Sequence, residues 1–225
     1  LADTDSKPGI HTLLPFEADF RVHVSRIPTP IKATLSLEPK SGMDDYFVMK
    51  LESRSLLLRS VEESHFIWHQ CSPISHRYLH TFRGFGVRRS NEMKFNWDQR
   101  QVSYQDGKES GTFDITEKTL DEVTMILRAR CLLDAGLTEF TLQAAYGEGI
   151  RDHHFVVTGE EMVDIPGGEV RAIVIEKKRR ASSKRSTIFW LAPELDYMLV
   201  KARHIESRIL FGELKLRRYE TAARP

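Results

Sequence analysis

Along most of this chain apolar and polar residues alternate with the period of two that marks half-buried strands. Phe16, Ala18, Phe20, Val22 and Val24 fall on one face of the first such run, with Glu17, Asp19, Arg21 and His23 on the other. After Pro28-Thr29-Pro30 the pattern returns at Ile31, Ala33, Leu35 and Leu37, and again at Phe47, Met49 and Leu51. Consecutive one-sided runs predict antiparallel hairpins. Further extended runs cover residues 55–69, 75–82, 88–97 and 101–104, then 140–146, 150–159, 169–178, 185–193, 197–206 and 208–219. Turn signals at Gly84-Phe85-Gly86, Asp106-Gly107, Gly147-Glu148-Gly149 and Pro166-Gly167-Gly168 separate several of them. The prediction is a mainly β protein: an antiparallel curved sheet or barrel of about a dozen strands.

One stretch breaks the pattern. Residues 119–134 carry helical spacing, with Thr119 and Glu122 at the distance of a capping box and Gly136 as a terminator. The projection gives two apolar arcs. Leu120, Val123, Leu127 and Cys131 form one; Met125, Ile126, Ala129, Leu132 and Leu133 form the other. Asp121 and Arg128 make a narrow polar stripe between them, at a distance a long arginine spans as a structural ion pair. A helix on the outside of a sheet needs one apolar arc. Two arcs predict a helix covered on both sides, packed against or inside the sheet, as core or as the wall of a ligand cavity.

Composition narrows the class only a little. Lys+Arg and Asp+Glu nearly cancel, leaving a net charge of +1, which argues against a dedicated nucleic-acid binder. Forty per cent hydrophobic and 29% charged residues suit a globular chain, and no apolar run is long enough for a transmembrane helix. No linker divides the 225 residues, so residues 1–14 are expected as a flexible segment and 15–220 as a single β-rich domain. The start, Leu-Ala-Asp-Thr-Asp-Ser-Lys-Pro-Gly, fits a mature exported protein and equally a trimmed chain.

The order of features resembles a known family. Residues 15–39, Phe95 to Tyr104, Thr119 to Gly136 and Phe189 to His204 resemble the bacterial domain-of-unknown-function family 3108 from Pro15 onward. Asp121, Thr124 and Arg128 match its pattern of acid, small hydroxyl and arginine, with Thr where Ser is commoner. The resemblance implies a β-rich barrel or strongly curved sheet and an exported, periplasmic protein. It implies no activity.

The chemistry-bearing residues are sparse. Cys71 and Cys131 permit one disulfide, while Cys131 on an apolar arc is as natural a free thiol. His65, His69, Cys71, His76 and His80 crowd one stretch, and His153 and His154 another. Strand neighbours of one face lie too far apart to chelate, so no metal site and no cofactor are expected. Lys177, Lys178, Arg179, Arg180, Lys184 and Arg185 read as a solvated hairpin tip or as a patch for anionic lipid headgroups, without the interleaved aromatics of a nucleic-acid site. Trp68, Trp97 and Trp190 suit core or rim. The chain has no nucleophile elbow, phosphate loop, His-Glu-x-x-His or Cys-x-x-Cys, so catalytic residues are not assigned.

Three function classes follow. The first is a non-enzymatic periplasmic or envelope protein holding a lipid or other apolar ligand against Val123, Met125, Ile126, Leu127, Leu133, Phe20, Trp97 and Trp190. The second is an assembly module for an envelope protein partner. The third is a metal-dependent hydrolase built on the histidines.

Overall fold

A computed structural model describes residues 12–25, 30–43, 45–178, 185–207 and 209–222. The expected flexible segment therefore lies almost wholly outside the described residues. Fifteen strands form one sheet, three more than a dozen. The first eight are β1 (Phe16–Val24), β2 (Ile31–Pro39), β3 (Tyr46–Arg54), β4 (Leu58–His69), β5 (Ser72–Gly84), β6 (Val87–Asn96), β7 (Gln101–Asp106) and β8 (Glu109–Asp114). The short β9 (Thr119–Leu120) precedes the helix α1 (Met125–Asp134). Then come β10 (Glu139–Tyr146), β11 (Gly149–Ile165), β12 (Gly168–Lys177), β13 (Ser186–Ala192), β14 (Met198–Ser207) and β15 (Leu210–Thr221).

The sheet order is β8-β7-β6-β5-β4-β3-β2-β1-β15-β14-β13-β12-β11-β10-β9. The chain starts in the middle, meanders out to one edge, reappears at the opposite edge and meanders back to pair β15 with β1. Every neighbour pair is antiparallel except β9 with β10. The path fixes the curvature. The two edges, β8 and β9, are joined by only residues 115–118, and the five steps from Asp114 to Thr119 reach at most about 18 Å. The sheet must curl until its edges approach, yet they do not pair, so it is a curved sheet and not a closed barrel.

The alternation of β1 to β3 is read correctly from sequence. Ala18, Phe20, Ala33, Leu35, Leu37 and Met49 point inward and are almost fully buried. The helix differs from expectation at its start. It begins at Met125, six residues after the predicted 119. Thr119 and Leu120 extend the sheet instead, opposite Gln143 and Ala144. The Thr119 hydroxyl donates to the Gln143 side chain and accepts from the Thr116 N–H, so no capping box with Glu122 forms. Gly136 is the terminator as expected. At φ +78° it lets its own N–H reach Leu133 O and the Leu137 N–H reach Leu132 O.

Both arcs are covered by the chain itself. Val123, Leu127 and Cys131, with Ile126, join the cluster that includes Phe20, Leu35, Met49 and Phe66. Leu120, Ala129 and Leu133, with Met125 and Leu132, join a second cluster around Phe140, Phe155, Ile175 and Leu191. The helix is a wedge between two regions of one curled sheet. Among the described residues, no helix is long and apolar enough to cross a membrane.

Candidate functional site

The helix lies at the sheet end where β4 turns into β5 and β13 turns into β14. Cys131 is disulfide-bonded to Cys71, which occupies the β4–β5 turn, and the Arg128 Nη1 donates to Cys71 O at 2.8 Å. On the other side the Arg130 Nε donates to Asp196 O at 2.6 Å, with its guanidinium 5.7 Å from the Phe16 ring. Burial pulls the Arg130 pKa down. Three side chains of one short helix thus tie the two flanks of the sheet together at this end, called here the helix end.

Asp121 does not pair with Arg128. Its Oδ1 accepts the N–H groups of Val123 and Thr124 at 2.9 and 2.8 Å, and its Oδ2 accepts the hydroxyls of Ser64 and Ser75 at 2.5 and 2.6 Å. The predicted ion pair fails because helix α1 starts only after Asp121, so the two residues do not share a helical face. Asp121 caps the turn into the helix and pins it to β4 and β5. Its burial raises its pKa, against the pull of those four hydrogen bonds.

Above this anchor the inner face of the sheet turns polar. Cross-strand register places Leu35, Leu51, Glu62, His80 and Asn91 side by side in one row across β2 to β6. The next row toward the far end holds Ser53, Ser60 and Phe82. The Tyr78 hydroxyl donates to Glu62 Oε2 at 2.9 Å and lies 3.5 Å from Glu122 Oε2, while Ser60 Oγ and His80 Nε2 are 3.0 Å apart. Burial and the neighbouring carboxylates raise the Tyr78 pKa. Glu122 is pushed up to about 7, first by burial and then by Glu62, with Arg151 and Lys177 pulling the other way. Among the described residues the Asn91 Oδ1 is buried without a hydrogen-bond partner. Leu51 beside Glu62 is only half-buried, as are Val22, Tyr104, Phe113, Ile150 and Leu214, which pack against the same large core cluster. The polar row with Tyr78 and Glu122, together with these half-buried apolar side chains, is called here the trough. It offers carboxylate acceptors and, in Ser60 with the His80 ring 3.0 Å away, a hydroxyl beside an imidazole.

The Glu122 shift has a pH signature. Its folded pKa lies above the ordinary 4.5, so the folded state holds the proton longer. That contribution to stability is complete below about pH 4.5 and is lost as pH rises through about 7. Discounted for solvent at its partly open side, it amounts to about 2 kcal/mol. Glu122→Gln is expected to flatten the stability profile between these values, measured by urea unfolding at each pH; an unchanged profile would assign the slope elsewhere.

The other sequence candidates have other places. Val123, Leu127, Leu133, Phe20 and Trp190 are each at most 5% exposed, so they pack rather than line open space. Met125, Ile126 and Trp97 are half-buried. Trp97 stacks on Phe95 and donates to Ser75 O, and Trp190 donates to Glu161. In the basic tract, Lys178 pairs with Glu176 and Arg185 with Glu206; Arg179, Arg180 and Lys184 lie outside the described residues. The histidines are dispersed: His65 pairs with Glu63, His154 with Glu139, and His80 joins the trough. Among the described residues no three His, Cys, Asp or Glu side chains gather as a metal site. Sequence reading missed the polar row. Its signal was present in β4, where Ser60, Glu62 and Ser64 share parity with buried Phe66 and Trp68.

A family described as "Protein of unknown function (DUF3108)" matches residues 19–217. Among solved structures, the crystal structure of a β-barrel-like protein of the domain of unknown function DUF1849 from Brucella abortus is similar, with a TM-score of 0.61 and 9% identity. The match covers 94% of this chain and 99% of that one. At such identity the likeness establishes the fold alone. No curated protein matches the chain.

Proposed function

This chain belongs to the DUF3108 family, and we propose that it is an exported, non-enzymatic binding protein that holds a single-chain amphiphile in the trough. The observation that carries this reading is the Glu62–His80–Asn91 row, which continues the row of Leu35 and half-buried Leu51 on an inner face whose core is apolar. An acyl chain would lie along Val22, Leu51 and Leu214, and a hydroxyl or amine headgroup would donate to Glu62 and Glu122. The site differs from the helix wall expected from sequence, because the helix arcs are already filled by protein. Export is supported by the Cys71–Cys131 disulfide, since such bonds persist in oxidising compartments.

The test is a thermal-shift titration of the full chain with a monoacylglycerol and with the matching alkane. The reading predicts a rise in Tm that saturates with the monoacylglycerol and falls about tenfold in apparent affinity in the Glu62→Leu/Glu122→Leu variant. No shift with the monoacylglycerol, or an equal shift with the alkane, would overturn it.

A further inference from the structure

The outer face carries a second feature, in the register of the sheet. Arg88 stands opposite Arg83, Arg83 opposite Arg59, and Arg59 opposite Arg54, one on each strand from β6 to β3. The row does not stop there. Arg54 faces Lys32, Lys32 faces Arg21, Arg21 faces Lys215 and Lys215 faces Lys201, one each on β2, β1, β15 and β14. Eight adjacent strands thus contribute one cation each to a single line, about 34 Å long at the usual strand spacing. Seven of the eight are exposed, and Lys201 is half-buried over the Trp190 ring.

Like charges directly opposite one another destabilise a sheet, and alternating signs would relieve the cost. Here the relief is partial. Arg59 pairs with Glu52 and Lys215 with Glu213. Among the described residues, Arg21, Lys32, Arg54, Arg83 and Arg88 have no carboxylate within ion-pair distance. The chain's net charge is only +1, so this is a segregation of charge rather than an excess.

From β6 to β3 the row borders the end of the sheet away from the helix, and there the two neighbouring turns are apolar; across β15 and β14 it slants back toward the helix end, where Lys201 lies near the start of β14. Leu56 is 90% and Leu57 46% exposed between β3 and β4; Phe85 is 64% and Val87 42% exposed at the β5–β6 turn. These turns touch, because Leu58 pairs with Gly84 and a methyl added at Gly84 would meet Leu57 O at 3.1 Å. Arg54, Arg59, Arg83 and Arg88 sit one or two residues from these tips, and no acid occurs in residues 53–60 or 82–90. A polar depression of about 230 Å³ opens where the row crosses β2 and β3, lined by Lys32, Lys50 and Arg54 and also by Glu17 and Glu52, so it is of mixed charge and any attraction for anions rests on the cation row alone.

We propose that this end of the molecule docks on an anionic lipid surface, with Leu56, Leu57, Phe85 and Val87 entering the interface and the cation row meeting the phosphate headgroups around them. Apolar tips carried a few ångströms beyond a line of arginines match the depth order of a bilayer: chains inside, phosphates outside. The complementary negative charge would also offset the repulsion along the row. A nucleic acid fits less well, because the tips offer one aromatic ring rather than a stacking platform. The inference stands apart from the trough reading, as it uses the opposite face of the sheet and none of the same side chains.

Sedimentation of the full chain with vesicles tests it, using phosphatidylcholine alone or mixed with phosphatidylglycerol. Binding to the mixed vesicles and not to phosphatidylcholine is expected, weakening as salt rises. Arg54→Gln/Arg83→Gln/Arg88→Gln is expected to reduce partitioning at least tenfold with an unchanged Tm, since these side chains are exposed. Leu56→Ser/Phe85→Ser is expected to reduce it severalfold at every salt concentration. Binding that ignores the arginine variant, equal binding to neutral vesicles, or tighter arginine-dependent binding to a DNA duplex would each overturn the proposal.

Discussion

Replacing both Cys71 and Cys131 by serine is expected to lower the folding stability by about 4 kcal/mol. The bond closes a loop across a sequence separation of 60, and the chain-entropy relation for a loop of that length gives this value. The loss is also expected to be local. Cys131 sits in the middle of α1 and Cys71 in the β4–β5 turn, so the bond fastens the wedge to one flank of the sheet. Hydrogen exchange in the double variant is expected to show the helix amides of residues 127–134 losing protection before those of β1 and β2, which pair in the middle of the sheet. Reduction of the unmodified chain is expected to reproduce both effects. A loss below about 1 kcal/mol would mean that Arg128, Arg130 and the two apolar clusters hold the helix without the bond.

The second large effect is expected at Asp121. In Asp121→Ala two backbone N–H groups and the hydroxyls of Ser64 and Ser75 lose their acceptor in a fully buried setting. Each buried polar group left unmatched costs about 1–3 kcal/mol, and the serine hydroxyls can turn to each other or to Thr124, 3.4 Å from Ser75. The expected loss is about 4 kcal/mol. Asp121→Asn keeps an oxygen for the two N–H groups, and both hydroxyls can accept from its amide, so its loss is expected near 1–2 kcal/mol. Urea unfolding of the two variants separates these cases. Equal losses would show that the charge, and not the acceptor geometry, holds the anchor.

How much of this was legible in the sequence depends on how local each cause is. The inner faces of β1 to β3 follow from alternation alone, since Ala18, Leu35 and Met49 sit in runs where every second residue is apolar. The two helix arcs were legible for the same reason, although Leu120 and Ile126 exchange clusters in the folded protein. The helix start was not legible. Thr119 and Glu122 have capping-box spacing, but Gln143, far along the chain, claims the Thr119 hydroxyl and a strand pairing with it. The partners of Asp121 were hidden in the same way, because Ser64 and Ser75 come from β4 and β5. The trough is half visible, because Ser60 and Glu62 fall on the same alternation as the buried Phe66 and Trp68. The cation row is invisible in one dimension: its members lie 5 to nearly 200 positions apart, and only register brings them into line.

Photo-crosslinking with a monoacylglycerol carrying a diazirine in its chain tests the central claim most directly, which is that the trough and not the helix wall receives a ligand. Mass spectrometry of the digested full chain is predicted to find adducts on Leu51, Phe82, Tyr104 and their inner-face neighbours, lost when unlabelled monoacylglycerol is in excess. Adducts on Val123, Leu127 or Leu133, or competition-resistant adducts spread over the outer face, would contradict it.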